Sequence, residues 1–538
     1  MSLLIIVLFV VWLINTFERV LYSLHMIQLE MYDNEKYMKW LANNKTKAHG
    51  PKSHLLVIVS VVVVLIYMFY PFDLRILVLI WSVTGLYVAS YKKYESKKPL
   101  VMTDRAKRLL IGTLVLAIVD FIIVVLLARW IAGESYYIPI SAFILALSIY
   151  YGTYYIIGGI WLLNPFEKSI NNRFYQAAQD KIKSLEDLTV VGITGSYGKT
   201  STKFITAEIL EQKYKTFKTP GSYNTPMGVS KVINEDLDDS YNVFVAELGA
   251  ERMGEIKEMT KLVTPDIGII TSIGPCHLET FKTIENIAKT KYELIEGLSG
   301  DGWAIFNYDN EYVKKLADMT YIKKILYGLK NHKDLDVYAE DIVTGIEGST
   351  FTLNIKGKGT VECKTKLLGK HNVLNILAGA ATGYALGMSL VQIASGIEKI
   401  EPIQHRLQLI NPGTGVIVID DAFNSNPDGA TAALEVLSEF KDNRKIIVTP
   451  GMIGLGDLEY EENKKLGEGI AQVCDIVILV GEARTQAIKD GLLASDFIKE
   501  NIIIVQSLKE SETVLKTLLK KGDVVLFEND LPDTYNEA

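Results

Sequence analysis

The stretch TGSYGKTS, residues 194–201, lies between a β-branched run, TVVGI (189–193), and an apolar helical pattern, KFITAEIL (203–210). A strand, a glycine-bracketed turn and a helix start in that order are what a chain uses to wrap backbone N–H groups around a phosphate. Gly195 and Gly198 let the backbone approach phosphate oxygens. The Lys199 ammonium would neutralise β/γ charge and the Thr200 hydroxyl would bind a magnesium ion, with Ser196 and Ser201 adjoining. The spacing departs slightly from the common nucleotide-loop pattern, because Gly192 lies six residues before Gly198.

Working outward on the carboxyl side, VVGI, NVFVAEL (242–248) and IGIITSI (267–273) alternate with helical patterns, which predicts a parallel sheet covered on both faces. A further alternation begins near Pro402, with VIVIDD, KIIVTPG, DIVILVG, NIIIV and DVVLFEN as strands of a second, Rossmann-like α/β unit.

On the amino side the composition changes. Five of the six tryptophans precede residue 165, and about five apolar segments approach the length of a bilayer-spanning helix: 2–21, 55–70, 74–90, 109–127 and 138–163. The first lacks the basic start and small-residue cleavage site of a signal peptide and reads as a retained anchor. Lys36, Lys39, Lys45, Lys47 and Lys52 crowd one connecting loop, and Lys92, Lys93, Lys97, Lys98, Arg105, Lys107 and Arg108 another. By the positive-inside rule those loops face the cytoplasm, and an odd number of spans returns the chain there. Asp120, inside a span, reads either as a functional carboxylate or as the partner of a polar group on a neighbouring helix. The aromatic cluster Tyr150, Tyr151, Tyr154 and Tyr155 reads as an interfacial belt, as helix packing or as a lipid-facing groove.

The bulk numbers set bounds. At 538 residues the chain holds roughly three or four domains. A net charge of −7 with no basic domain argues against nucleic acid as a partner. Cys276, Cys363 and Cys474 are too scattered for a disulfide framework or metal-ligand spacing. The expected organisation is an α-helical membrane domain (1–163), a connector helix (164–187), a P-loop-type central ATPase domain (188–401) and a C-terminal Rossmann-like α/β domain (402–538), with the catalytic domains cytoplasmic.

TGSYGKTS, GSYNTPMGV (221–229), VAELGAERMGEI (245–256), TSIGPCHLETF (271–281), IAKTKYELIEGL (287–298), FNYDN (306–310), LGKHNVLNILAGAA (368–381) and VIDDAFNSNPDG (418–429) follow one another in an order that resembles the Mur ligase family over about residues 188–538. The likeness is strongest to the branch that adds D-alanyl-D-alanine to a muramoyl tripeptide. The resemblance implies an ATP-dependent ligase that activates a carboxylate as an acyl phosphate and joins it to an amino acid or dipeptide. Its acceptor would be a peptide-bearing cell-wall precursor, nucleotide- or lipid-linked, with an anionic polymer such as polyglutamate as the alternative.

The resemblance also implies a set of site residues. Glu247 and His277 would bind magnesium with Thr200, and Lys291, with Lys289 as its near competitor, would be carbamylated by CO₂ into a further ligand. Lys199, Glu247, His277 and Lys291 would be catalytic, with ATP and about two Mg²⁺ ions as cofactors. Asn307 and Asp309 would lie on the adenine side, His371, Asn372 and Asn375 near the nucleotide, and Arg406 and Asp421 would complete the ATP site. Asn424 and Asn426 would shape the amine-side cleft. Soluble members of the branch carry a UDP-sugar-gripping domain where this chain has apolar segments. Those segments are expected to hold the ligase at membrane lipids beside its acceptor. A nucleotide-dependent membrane regulator without enzyme activity is the competing class; it has no use for a carbamate.

Overall fold

The computed structural model describes residues 2–50, 52–90, 98–423 and 425–530. The chain divides into two compact units, Met1–Ile170 and Asn171–Leu531.

The first unit is helical: α1 (Ser2–Leu29), α2 (Asn34–Asn43), α3 (Lys45–His49), α4 (Ser53–Phe69), α5 (Leu74–Ala89), α6 (Asp104–Tyr150) and the start of α7 (Tyr155–Ser184). Among the described residues, two of these helices are long and apolar enough to cross a membrane, Leu3–Leu29 and Asp104–Tyr150. The spans expected at 55–70 and 74–90 are the apolar but shorter α4 and α5, of 17 and 16 residues. Helix boundaries also differ from those expected at 109–127 and 138–163. The turn between them is compressed to a kink at Gly133 (φ 67°, ψ −177°), a conformation open in practice only to glycine, so α6 runs through the first segment and into the second. Across the kink Arg129 Nε donates to Glu134 Oε1 at 2.6 Å. The fifth segment is broken instead at Gly152–Tyr154, a short 3₁₀ turn. From there α7 continues through Pro165 into the expected connector.

Several polar groups inside this unit are paired between helices. Trp81 Nε1 donates to the Ala142 carbonyl at 2.9 Å, Asn15 Nδ2 to the Gly85 carbonyl at 3.1 Å, and the Tyr155 hydroxyl to Asp120 Oδ2. Asp120 is thus the partner of a neighbouring helix. The tyrosine cluster packs on His49, whose ring stacks on Tyr150 with centroids 4.3 Å apart. Lys92, Lys93 and Lys97 lie outside the described residues.

The second unit carries two sheets. The first has nine strands: β1 (Thr189–Thr194), β2 (Thr216–Lys218), β3 (Val243–Glu247), β4 (Ile267–Ile270), β5 (Trp303–Asn307), β6 (Lys324–Gly328), β7 (Val337–Gly345), β8 (Gly348–Ile355) and β9 (Gly359–Thr365). Their order is β2-β3-β1-β4-β5-β6-β7-β8-β9. It is parallel from β2 to β7 and antiparallel beyond, where β7, β8 and β9 form a meander. The central strands are buried on both faces, as near-continuous Val/Ile runs require. Helices α8 (Lys199–Leu210), α9 (Pro226–Asp236), α10 (Glu255–Val263), α11 (Leu278–Phe281), α12 (Ile284–Glu296), α13 (Glu311–Asp318), α14 (Lys370–Ala385) and α15 (Leu390–Lys399) accompany it. The sheet divides two cores, one built with α8, α14 and α15, the other with α9, α10 and α12.

The second sheet has six strands, β10 (Gln408–Ile410), β11 (Ile417–Asp421), β12 (Lys445–Thr449), β13 (Ile476–Val480), β14 (Ile502–Val505) and β15 (Val524–Glu528), in the order β10-β11-β15-β12-β13-β14. All but the edge pair β10–β11 are parallel. Both α/β expectations are met, and Glu247 stands at the carboxyl end of β3, beside the end of β1 from which the glycine turn leaves.

Candidate functional site

The turn after β1 is held from one side. A Cβ at Gly195 would fall 2.1 Å from Thr271 Oγ1, so only glycine fits there. Ser196 Oγ donates to the Gly274 carbonyl at 3.0 Å and accepts from the Gly274 N–H at 3.1 Å, while the Tyr197 hydroxyl donates to the Pro275 carbonyl at 2.5 Å. These bonds dock residues 274–275 against the turn. Lys199 curls back, its Nζ donating to the Gly195 and Ser196 carbonyls at 2.8 and 3.1 Å. Burial pushes its ammonium pKa down, with Glu247 pulling the other way.

Glu247, at the end of β3 and in register with Ile193 of β1, is 1% exposed. Its Oε1 accepts from Thr200 Oγ1 and from Asn224 Nδ2, each at 3.1 Å, and its Oε2 from Lys203 Nζ at 3.1 Å. Thr200 and Glu247 are therefore together, as the resemblance implies for a shared cation site. Asn224 and Lys203 were not among the candidates. The signal for Lys203 was its position four residues after Lys199, on the same face of α8.

On α12, Lys291 is 2% exposed whereas Lys289 faces solvent. Lys291 Nζ donates weakly to the Ala250 carbonyl at 3.4 Å and lies 5.8 Å from the Phe281 ring centroid. Burial, reinforced by the charge of Lys199, pushes its pKa down to about 7. His277 is exposed and starts α11 with a left-handed backbone (φ 48°). No group of three or more His, Cys, Asp and Glu side chains suited to a metal occurs among the described residues. A cation here would need the Thr200 hydroxyl and non-standard oxygens as well as Glu247.

The other candidates fall into two groups. Asp309 accepts from the Leu329 and Lys330 N–H groups at 2.6 and 3.1 Å, and its own N–H donates to Asn307 Oδ1 at 3.1 Å, so this element pins the chain after β6. At the start of α14, burial drives the His371 imidazole down to about 4. Asn372 Nδ2 donates to the Leu368 carbonyl at 2.9 Å. Asn375 Oδ1 accepts from Thr202 Oγ1 at 3.2 Å and lies 2.9 Å from where a Cβ of Gly198 would sit, which places it against the turn. Ser201 is buried beside it on α8.

From the second sheet, Arg406 stacks over Phe423 at 4.2 Å, and its charge adds to the lowering of the Lys199 and Lys203 pKa values. Its neighbours His405 (φ 59°) and Leu407 (φ 47°) both have left-handed backbones, strain that aims Arg406. His405 Nδ1 is 2.7 Å from Asp420 Oδ2. Asp421 accepts from the Leu407 N–H at 3.1 Å, and burial raises its carboxyl to about 6. Asn426 Oδ1 caps α16 (Pro427–Ser438) by accepting from the Gly429 N–H at 2.9 Å, and Asn424 lies outside the described residues. Sequence reading missed Glu528. It is fully buried, raised to about 8 by burial and by Asp421, and accepts from Ser425 Oγ and Thr449 Oγ1.

Two family models match in chain order: the Mur ligase middle domain over residues 193–383, and the Mur ligase glutamate ligase domain over residues 405–528. A UDP-N-acetylmuramoyl-tripeptide–D-alanyl-D-alanine ligase of Bacillus subtilis is 31% identical over 341 residues, covering 63% of this chain and 72% of the relative. The enzyme of the same name from Escherichia coli is 32% identical over 336 residues, covering 62% and 74%. Among solved structures, MurF from Acinetobacter baumannii has a TM-score of 0.60 at 27% identity, covering 67% of this chain and 77% of that one. MurF ligase from Thermotoga maritima in complex with ADP has a TM-score of 0.60 at 27% identity, covering 67% and 80%. Both models fall within the second unit and take in the turn, Glu247, Lys291 and Arg406, and the chain belongs to the Mur ligase family of ATP-dependent ligases.

Proposed function

We propose that the chain is a membrane-held, MurF-like ligase of cell-wall precursor synthesis. It uses ATP to convert a peptide carboxylate into an acyl phosphate and joins it to the amine of an amino acid or of a dipeptide such as D-alanyl-D-alanine. The observation that carries the reading is the Thr200–Glu247 oxygen pair at the end of the glycine turn, in a site that also half-buries Lys199 and buries Lys291.

The residues fit magnesium in their chemistry. Thr200 and Glu247 offer hard oxygen donors, and a carbamate on Lys291 would add more. Bound there, Mg²⁺ would neutralise charge on the transferring phosphoryl group. The Lys291 ammonium first gives up a proton to solvent; the neutral amine then attacks the carbon of CO₂, an N–C bond forms as one C=O π pair moves to oxygen, and the nitrogen loses a second proton, so a cation becomes an anion. A pKa near 7 leaves enough neutral amine for that step. The turn's N–H groups hold phosphate oxygens, and Lys199 swings from its loop carbonyls to the β/γ charge. The substrate carboxylate attacks the γ-phosphorus and ADP leaves. The incoming amine then attacks the acyl carbon, loses a proton and expels inorganic phosphate. Arg406 meets the nucleotide from the second sheet.

Membrane attachment is supported by the surface of the first unit. The apolar windows of Leu3–Leu29 and Asp104–Tyr150 are only 33% and 28% buried, which is not how core helices of soluble proteins look. Phe69, Trp130 and Trp161 are 77%, 82% and 78% exposed. Such a unit favours a lipid-linked peptide as acceptor over a free nucleotide-linked one. Hydroxylamine added with ATP and acceptor tests the acyl phosphate: hydroxamate should form without any amino-acid amine. Hydroxamate formation with ATP omitted would count against this mechanism, as would its absence with both UDP- and lipid-linked tripeptides.

A further inference from the structure

Lys203 is a charged side chain with no place in the mechanism above, yet its side chain is 0% exposed and that of its partner Glu247 is 1% exposed. Its Nζ donates to the Gly221 carbonyl at 2.5 Å and to Glu247 Oε2 at 3.1 Å, and lies 4.6 Å from the Phe204 ring centroid. The two carboxylate oxygens of Glu247 are thereby given different tasks. Oε2 is anchored to Lys203, while Oε1 faces Thr200 Oγ1 and Asn224 Nδ2. The backbone of Glu247 is fixed as well, its N–H donating to Thr219 Oγ1 at 3.2 Å.

Two ions taken out of water gain little net stability, and a well-packed apolar pair of similar volume commonly does as well or better. The geometry points to orientation: we infer that Lys203 is a positioning residue that holds the Glu247 carboxylate with Oε1 turned toward Thr200, so that the metal-binding pair is assembled before the cation arrives. Through Gly221 the same ammonium ties the segment leading to α9 into this arrangement. Without it Oε2 loses its anchor, and the carboxylate is held only through Oε1, by Thr200 and Asn224, at the oxygen the cation is to use. This rests on the reading that Glu247 and Thr200 hold magnesium. The effect expected is that of removing a group which orients a metal ligand, about 10-fold to 100-fold in metal affinity.

The test uses the full chain in detergent micelles. ADP binding is titrated at increasing free Mg²⁺, and ADP affinity is also measured in EDTA. Lys203→Met should shift the Mg²⁺ midpoint upward by about 10-fold or more while leaving metal-free ADP binding unchanged. Lys203→Gln, which keeps a donor for Oε2, should shift it less; if the Met variant does not fold, the Gln variant carries the comparison with wild type. Glu247→Gln separates the inference from the reading beneath it. If Glu247→Gln raises the midpoint but neither folded Lys203 variant does, Lys203 does not position Glu247. If Glu247→Gln leaves the midpoint unchanged, the metal reading fails and the inference with it. A parallel loss of ADP binding with and without Mg²⁺ in the Lys203 variants would mark a merely structural role and overturn the inference.

Discussion

Lys291 is the residue on which the chemistry turns, because burial and the charge of Lys199 bring its pKa down to about 7. The neutral amine reacts with CO₂, and its fraction rises with pH through 7. Stripping CO₂ and bicarbonate should therefore cost more activity near pH 6 than near pH 8, measured as ADP release at saturating Mg²⁺. Lys291→Ala should be nearly inactive and partly restored by a short carboxylic acid that fills the vacated space, whereas Lys289→Ala should be mild. The same shift bears on stability. The unfolded chain keeps the Lys291 proton up to its ordinary 10.5, so between about 7 and 10.5 the unfolded state binds more protons and this group's contribution to stability rises with pH. Lys199→Ala should lower kcat by about 10²-fold or more, the scale of losing one preorganised electrostatic donor, and near-normal turnover at saturating ATP would contradict its role. The motif left Lys289 and Lys291 both open, and burial on α12 separates them. Lys203 carried only a faint signal, its place one turn beyond Lys199; such a lysine reads as a solvated charge until Glu247, 44 positions on, is folded against it.

At the scale of elements, what was legible followed from how each strand or helix is buried. The central strands of both sheets are covered on both faces and stand out as continuous apolar runs. The meander β7–β9 was not read, because its apolar residues alternate and a bulge between Glu340 and Val343 shifts the phase. In the first unit the turn between apolar segments was placed correctly, but its reduction to the single residue Gly133 was not foreseeable from hydropathy. That kink makes a prediction. Gly133→Val forces a β-branched side chain into a glycine-only conformation and should destabilise the first unit by about 1–3 kcal/mol. Tryptophan fluorescence during thermal unfolding in detergent reads this unit, since five of the six tryptophans precede residue 165. An unchanged transition would mean that the kink carries no strain requirement.

For the whole molecule, composition alone separated an apolar first third from an α/β remainder, and motif order placed the remainder in its family. What it could not supply was side-chain and backbone geometry in the second sheet, such as the left-handed residues flanking Arg406 or Glu528 buried beside Asp421. Orientation across the membrane is directly testable. A cysteine at Ser135 should react with an impermeant reagent in intact cells and one at Lys45 should not; the reverse pattern would put the site on the wrong side. The central claim is amide ligation driven by ATP, and amine-dependent ADP release from the purified full-length protein measures it. With Mg²⁺, ATP and a UDP- or lipid-linked tripeptide, adding D-alanyl-D-alanine or another amino acid should produce sustained ADP release matched one for one by new amide product. ADP release indifferent to every amine and acceptor, with no amide formed, would contradict the account and leave a nucleotide-driven membrane regulator in its place.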